Sequence, residues 1–236
     1  RCQRDGRGVE GGTREQARPH VPRFDATGAA DKPTYLAQLM MLRGHLKAGA
    51  ALYVAGEGSQ AAVHMKHPHD ELYMTLKPMI ASYGARDIES ELSAMAASVE
   101  GGLPVEKVEE ALANVRAAAG LAADAAAPSL KETLLAAALT LRQAAAEYSE
   151  GVSDGAVVNL KEYQDAYGFM TTVVETLAAV EGETEQEKAA VAVSREQAAL
   201  SLAAAPTVTP PRKLDGKAST IHGAAARVEL AALALD

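Results

Sequence analysis

Apolar residues in this chain return every three to four positions, and no segment alternates with a period of two for long enough to make a strand. Tyr35, Leu39, Leu42, Leu46 and Tyr53 form one such stripe, with Arg43 and Lys47 on the opposite face. Val105, Val108, Leu112, Val115 and Ala119 form another, at coiled-coil-like spacing. Alanine dominates the 48% hydrophobic share, aromatics are 4% of the residues and Trp is absent. Small side chains favour closely packed helices, whereas sheets draw on β-branched and aromatic residues. The pattern predicts an all-α fold, an up-and-down bundle of about seven helices.

Residues 1–32 lack this periodicity and are rich in Gly, Arg and other polar residues, so they read as a disordered tail. The bundle domain is then 33–236. A first helix is expected from Tyr35 to Val54, and Ser59 is placed to cap a second after the turn "AGEGS". Pro68 must bend or restart that helix. Asp70 and Glu71 suit the first turn of the next, and a further break is expected near Pro78. Residues 87–99 are helical again, and Pro104 opens the following helix. Ser129-Leu-Lys-Glu132, Asn159-Leu-Lys-Glu162 and Thr184-Glu-Gln-Glu187 have the form of capping boxes. They predict helices over 130–150, 160–181 and 185–204, and Ser219 is placed to cap the last. Leu36, Gly44 and "AGE" at 55–57 are echoed by Leu160, Gly168 and "EGE" at 181–183, with eight residues from Leu to Gly in both. This echo would make the protein two related hairpin units and aligns His45 with Phe169.

Composition narrows the partners. The chain carries 31 acidic and 23 basic residues, a formal charge of −8, and no basic stripe. That argues against nucleic acid and anionic membranes. No apolar run approaches the roughly 20 residues of a membrane span. The one cysteine, Cys2, excludes an intramolecular disulfide framework and lies in the tail with His20, where a Cys/His nucleophile is not expected. The chain opens on Arg1 rather than Met, as a fragment or a processed product would.

The densest chemistry is His64-Met65-Lys66-His67-Pro68-His69-Asp70-Glu71, with His45 nearby in "RGHLKAG". His45 falls inside the apolar arc of the first helix and so points inward. A short hairpin loop returns the second helix beside the first, which can bring His64 or His67 near His45. The candidate metal ligands are His45, His64, His67, His69 and Glu71. Imidazoles from facing helices suit Fe, Cu or Zn, or a haem held axially, and Met40, Met41, Met65, Met74 and Met79 add thioethers. The competing reading is a polar helix junction in which His45 bonds to Tyr53 or Tyr73. Tyr148, Tyr163 and Tyr167 read as core residues with satisfied hydroxyls. His222 shares a stripe with Ala226, Leu230 and Leu233. "GEGS" lacks the following GK[ST] of a phosphate loop, and no ExxH pair of a di-iron bundle occurs.

"GHLKAGAALYVAGEG…HMKHPHDELY", over residues 36–75, resembles little-characterised exported proteins of α-proteobacteria and the imelysin family, including the EfeO-type periplasmic iron-uptake proteins. That family's G-x-H-x-x-E metal motif is only partly present: Gly44 directly precedes His45, and position 48 is Ala48. The resemblance implies an exported, metal-associated helical protein without catalytic activity. The expected function is a non-catalytic metal- or haem-binding protein of the periplasm or exterior. The alternatives are a structural or interaction module that offers a helical surface to a protein partner, and a histidine-dependent metalloenzyme.

Overall fold

The computed structural model describes residues 31–68 and 72–235. Among them are nine helices: α1 (Lys32–Val54), α2 (Gly58–His67), α3 (Tyr73–Ser82), α4 (Glu89–Glu100), α5 (Val105–Ala125), α6 (Leu130–Gly151), α7 (Leu160–Ala178), α8 (Glu185–Leu202) and α9 (Ala218–Leu233). The all-α expectation holds. Nine helices rather than about seven arise because the stretch from 58 to 100 divides into three short ones. The only sheet among the described residues is a two-residue hairpin, β1 (Val152–Ser153) with β2 (Ala156–Val157). Its turn residues Asp154 and Gly155 both have positive φ, 51° and 77°, as a tight two-residue hairpin requires.

Local chemistry explains most boundaries. Asp31 caps α1 by accepting the Thr34 amide at 2.8 Å, and Pro33 sits in the first turn where its missing donor costs nothing. The helix thus begins three residues before Tyr35. Of the expected tail, Asp31 and Lys32 belong to this start, and the rest lies outside the described residues. Ser129–Glu132 and Thr184–Glu187 form reciprocal capping boxes. Asn159 does not. The hairpin delivers both the Val158 and Asn159 amides to the Gly151 carbonyl, at 2.8 and 3.1 Å, which sets the entry to α7 without a side-chain cap. Ser59 and Ser219 are likewise not caps; Glu57 and Lys217 hold those positions. Pro68 ends α2 as expected, but α3 runs through Pro78. The carbonyl left without a donor there is that of Met74, an exposed residue that water reaches.

The helices pack as a group of four and a group of five. In one, α6 lies beside α7 and α9, and α8 closes the ring against both. In the other, α1 packs on α2 and α5, and α4 joins α2 to α5, with α3 against α1. The groups meet where α1 lies on α7 and α6. The core is alanine-rich, with Leu42, Leu46, Leu134, Leu141, Met170 and Val173 filling the gaps. Tyr148 and Tyr163 are buried with their hydroxyls donated to the carbonyls of Gly216 (3.1 Å) and Thr207 (2.7 Å).

The two glycines of the sequence echo face each other at the α1–α7 crossing. A Cβ on Gly44 would stand 2.6 Å from the Phe169 ring and 3.1 Å from the Gly168 carbonyl carbon, and one on Gly168 would run into the Gly44 carbonyl oxygen. The helices therefore approach at backbone distance. Gly168→Ala should cost about 2–3 kcal/mol, since the obstruction is backbone that cannot rotate away. Gly120→Ala, in open space on α5, should stabilise by about 0.5–1 kcal/mol. Urea midpoints of the two variants check this pair.

Candidate metal centre

One turn along α7 from the glycine crossing, Asp165 points into the interface between the two groups. It is 1% exposed. His45 from α1 places Nδ1 at 2.5 Å from Asp165 Oδ1, and His64 from α2 places Nδ1 at 2.9 Å from the same oxygen. His45 and His64 are 7% and 1% exposed. Two imidazoles and a carboxylate thus converge on one buried point, with ligating atoms all within 4.8 Å of one another. Phe169 closes one side, its ring edge-on to His45 with centroids 4.8 Å apart. Lys161 reaches the outer oxygen, Oδ2, at 3.2 Å.

A chain of amides fixes the direction of the bonds. The Glu57 carboxylate accepts from Gln60 Nε2 at 3.0 Å, so Gln60 presents Oε1 inward. Gln164 Nε2 donates to that oxygen at 2.7 Å, which turns Gln164 Oε1 toward His64 Nε2, 2.9 Å away. His64 is thereby held through its two ring nitrogens between Gln164 Oε1 and Asp165 Oδ1. Burial alone would raise the Asp165 pKa. The charge and hydrogen bonds of His45 and His64 outweigh it and hold the carboxyl far below the usual carboxylate range.

A second acidic group lies on the far side of Lys161, which also approaches Glu162 at 3.5 Å. Glu147, Glu150 and Glu162 bring carboxylate oxygens within 4.8 Å of one another. Burial pushes Glu147 up to about 8, with a hydrogen bond to Glu162 adding to the rise and one from Gln143 opposing it.

The expected ligands divide. His45 and His64 meet, but their bond is to Asp165, not to Tyr53 or Tyr73; those hydroxyls donate to the Leu103 carbonyl (2.6 Å) and to Asp87. His67 closes α2, and its side chain, with His69 and Glu71, lies outside the described residues. His222 is exposed, because α9 buries Ile221, Ala224, Ala225, Val228 and Ala232 and leaves Leu230 and Leu233 at 66% and 55% exposure. Met74 is exposed, and the Met40 sulfur accepts from the Thr140 hydroxyl at 3.6 Å. Asp165 was not among the candidates. Its signal was an Asp in mid-helix, a poor place for that residue, within the buried run Tyr163, Ala166, Phe169 and Met170.

A family model described as the iron permease-associated 4-helix bundle domain matches residues 127–233. No curated protein and no solved structure matches the chain. The matched segment is less than half of the 236 residues and contains all of α6, α7, α8 and α9, the four helices of one packed group. It links the chain to iron-permease-associated bundles, and a metal-related role is compatible with that link. Asp165, Gln164 and Lys161 lie inside it; His45 and His64 come from the other group, outside it. No described helix is long and apolar enough to cross a membrane.

Two pH effects of opposite sign follow. Asp165 has a depressed pKa, so its contribution is complete above the unfolded value near 4 and is lost on further acidification. Asp165→Asn should lower stability at neutral pH by about 2–4 kcal/mol and flatten the acid limb below about pH 4. Glu147 has a raised pKa, so the folded state loses stability as pH climbs from about 4.5 through about 8. Glu147→Gln should remove that loss and be the more stable protein near pH 8 by about 1–3 kcal/mol, discounted for partial exposure. Denaturation midpoints across pH for the wild type and both variants measure each effect.

Proposed function

We propose that the protein is a non-catalytic helical protein that binds one transition-metal cation, iron foremost, at His45, His64 and Asp165. The observation that carries this reading is the convergence of two imidazoles and a carboxylate on a single buried point where α1, α2 and α7 meet. Two nitrogens and an oxygen are a donor set that suits divalent iron and zinc. The ion would replace the two N–H protons directed at Asp165. His64 Nε2 would stay donated to Gln164, the kind of outer bond that orients a ligating imidazole and raises its basicity. The three groups are nearly inaccessible, which suits an ion held within the fold better than a substrate turned over.

The iron-permease-associated description of the matched family supports iron and a role beside a transport protein. A periplasmic or secreted setting agrees with the resemblance to exported iron-uptake proteins. An ion fits the site and a haem does not: the α1 and α7 backbones touch at Gly44 and Gly168, next to His45, and leave no slot for a macrocycle. Copper(I) is disfavoured because the converging atoms are N and O, not thioether.

Calorimetric titration of tag-free protein with Fe(II) and Zn(II) tests this. One equivalent should bind at neutral pH, with a proton released and affinity falling below about pH 6 as imidazole protonation competes. Asp165→Ala and His64→Ala should each abolish binding, His45→Ala likewise, and His222→Ala should leave it unchanged. If the wild type takes up neither ion, the triad is an internal ion cluster and the interaction-module reading replaces this one.

A further inference from the structure

A second feature, independent of the metal reading, lies where α1 and α5 meet α7. Arg43 stands two residues before His45, and so on the opposite side of α1 from the buried histidine. A small cavity of about 100 Å³ opens there, and Arg43 and Lys47 of α1, Glu109 and Arg116 of α5 and Glu175 of α7 supply its charges. Lys47 and Glu175 pair at 2.5 Å. Arg43 and Arg116 form no hydrogen bond or ion pair among the described residues. Arg43 is half-buried and Arg116 is exposed. Of the charges that act on Arg43, that of Glu175 is opposite but already matched by Lys47, and that of Arg116 is of like sign. Two guanidiniums thus line one small space with their donors unmet and their charges repelling.

The lining carries three cations against two carboxylates. With Lys47 and Glu175 set aside as a pair, two guanidiniums remain against Glu109, which forms no ion pair among the described residues. A cation entering here would add positive charge beside Arg43, whereas an anion would relieve the repulsion between the arginines. The space is well below the roughly 300 Å³ at which organic ligand sites begin, and suits a single ionic group. The planar fork of a guanidinium matches the oxygens of a phosphate, which offers three acceptor oxygens and between about one and a half and two negative charges. We propose that Arg43 and Arg116 together bind a phosphate group, each guanidinium donating to its oxygens, with the exposed Arg116 side open to whatever the group is attached to. A carboxylate brings only one charge and two oxygens to the same pair of forks.

Inorganic phosphate, glycerol 3-phosphate and acetate, titrated into the full chain at neutral pH with ionic strength held by sodium chloride, test this by calorimetry and by the arginine Nε–H signals in ¹⁵N NMR. Phosphate should bind at least about tenfold tighter than acetate, with shifts confined to Arg43 and Arg116. Glycerol 3-phosphate binding as well as phosphate would identify a phosphate group carried on a larger molecule; binding of inorganic phosphate alone would identify the free ion. Arg43→Gln and Arg116→Gln should each weaken phosphate about ten- to a hundredfold, the range of hydrogen bonds between charged groups. Arg116 is exposed, so Arg116→Gln keeps the test open should Arg43→Gln fail to fold. Glu109→Gln, which removes the unpaired carboxylate of the lining, should tighten phosphate about two- to fivefold. Equal affinity for acetate, shifts spread over the other arginines, an unchanged affinity in Arg116→Gln, or no phosphate binding at millimolar concentration overturns the proposal. His64→Ala, which removes the metal reading's ligand, should leave phosphate binding intact.

Discussion

Two helices pass at backbone distance only where neither carries a side chain at the crossing. Gly44 and Gly168 meet that condition at the same place, and a Cβ on either would collide with the other strand of the crossing or with Phe169. This contact sets the separation of α1 and α7, and through them of the four-helix and five-helix groups. The buried polar cluster lies beside it: His45 follows Gly44 on α1, and its Nδ1 stands 2.5 Å from Asp165, one turn before Gly168 on α7.

That cluster is the main departure from an apolar core. A buried carboxylate is tolerated only when its charge is met, and here it is met from three elements: His45, His64 and Lys161. The Glu57–Gln60–Gln164 chain then satisfies what remains of His64 and ties the site to the α1–α2 turn at the surface. The same surroundings that hold two imidazoles against a buried carboxylate would suit the proposed cation, which would bring positive charge beside Asp165. Further along the lattice of charges, Lys161 separates Asp165 from the Glu147–Glu162 pair. Without that lysine, two anionic groups would face each other across a few ångströms of protein, and the raised pKa of Glu147 shows how strongly that region already resists a further negative charge.

Much of the fold was written locally. The 3.6-residue stripes, the alanine content and two capping boxes determine helices with definite starts, because these are short-range effects of backbone hydrogen bonding and side-chain size. Pro68 and the Gly turns mark ends for the same reason. His45 was legible as an inward residue from its place on the α1 stripe, and His64 as a neighbour from the short loop. What local reasoning got wrong also has a local cause seen from outside: Asn159 is overruled as a cap by the Gly151 carbonyl, which the hairpin brings from eight residues away, and His222 by a helix face whose burial depends on which side meets α6 and α8.

The partner of those histidines was a tertiary decision. Asp165 lies 120 residues beyond His45, and nothing in either segment names the other. The sequence determined that a carboxylate sits mid-helix among buried residues and that two glycines share a spacing from their leucines. Only the packing of α1 on α7 turned the glycines into a crossing point and the carboxylate into the centre of a two-histidine site. The physical reason is range: helix propensity and capping act over four residues, whereas the desolvation that forces Asp165 to be paired exists only once the two groups have closed over it.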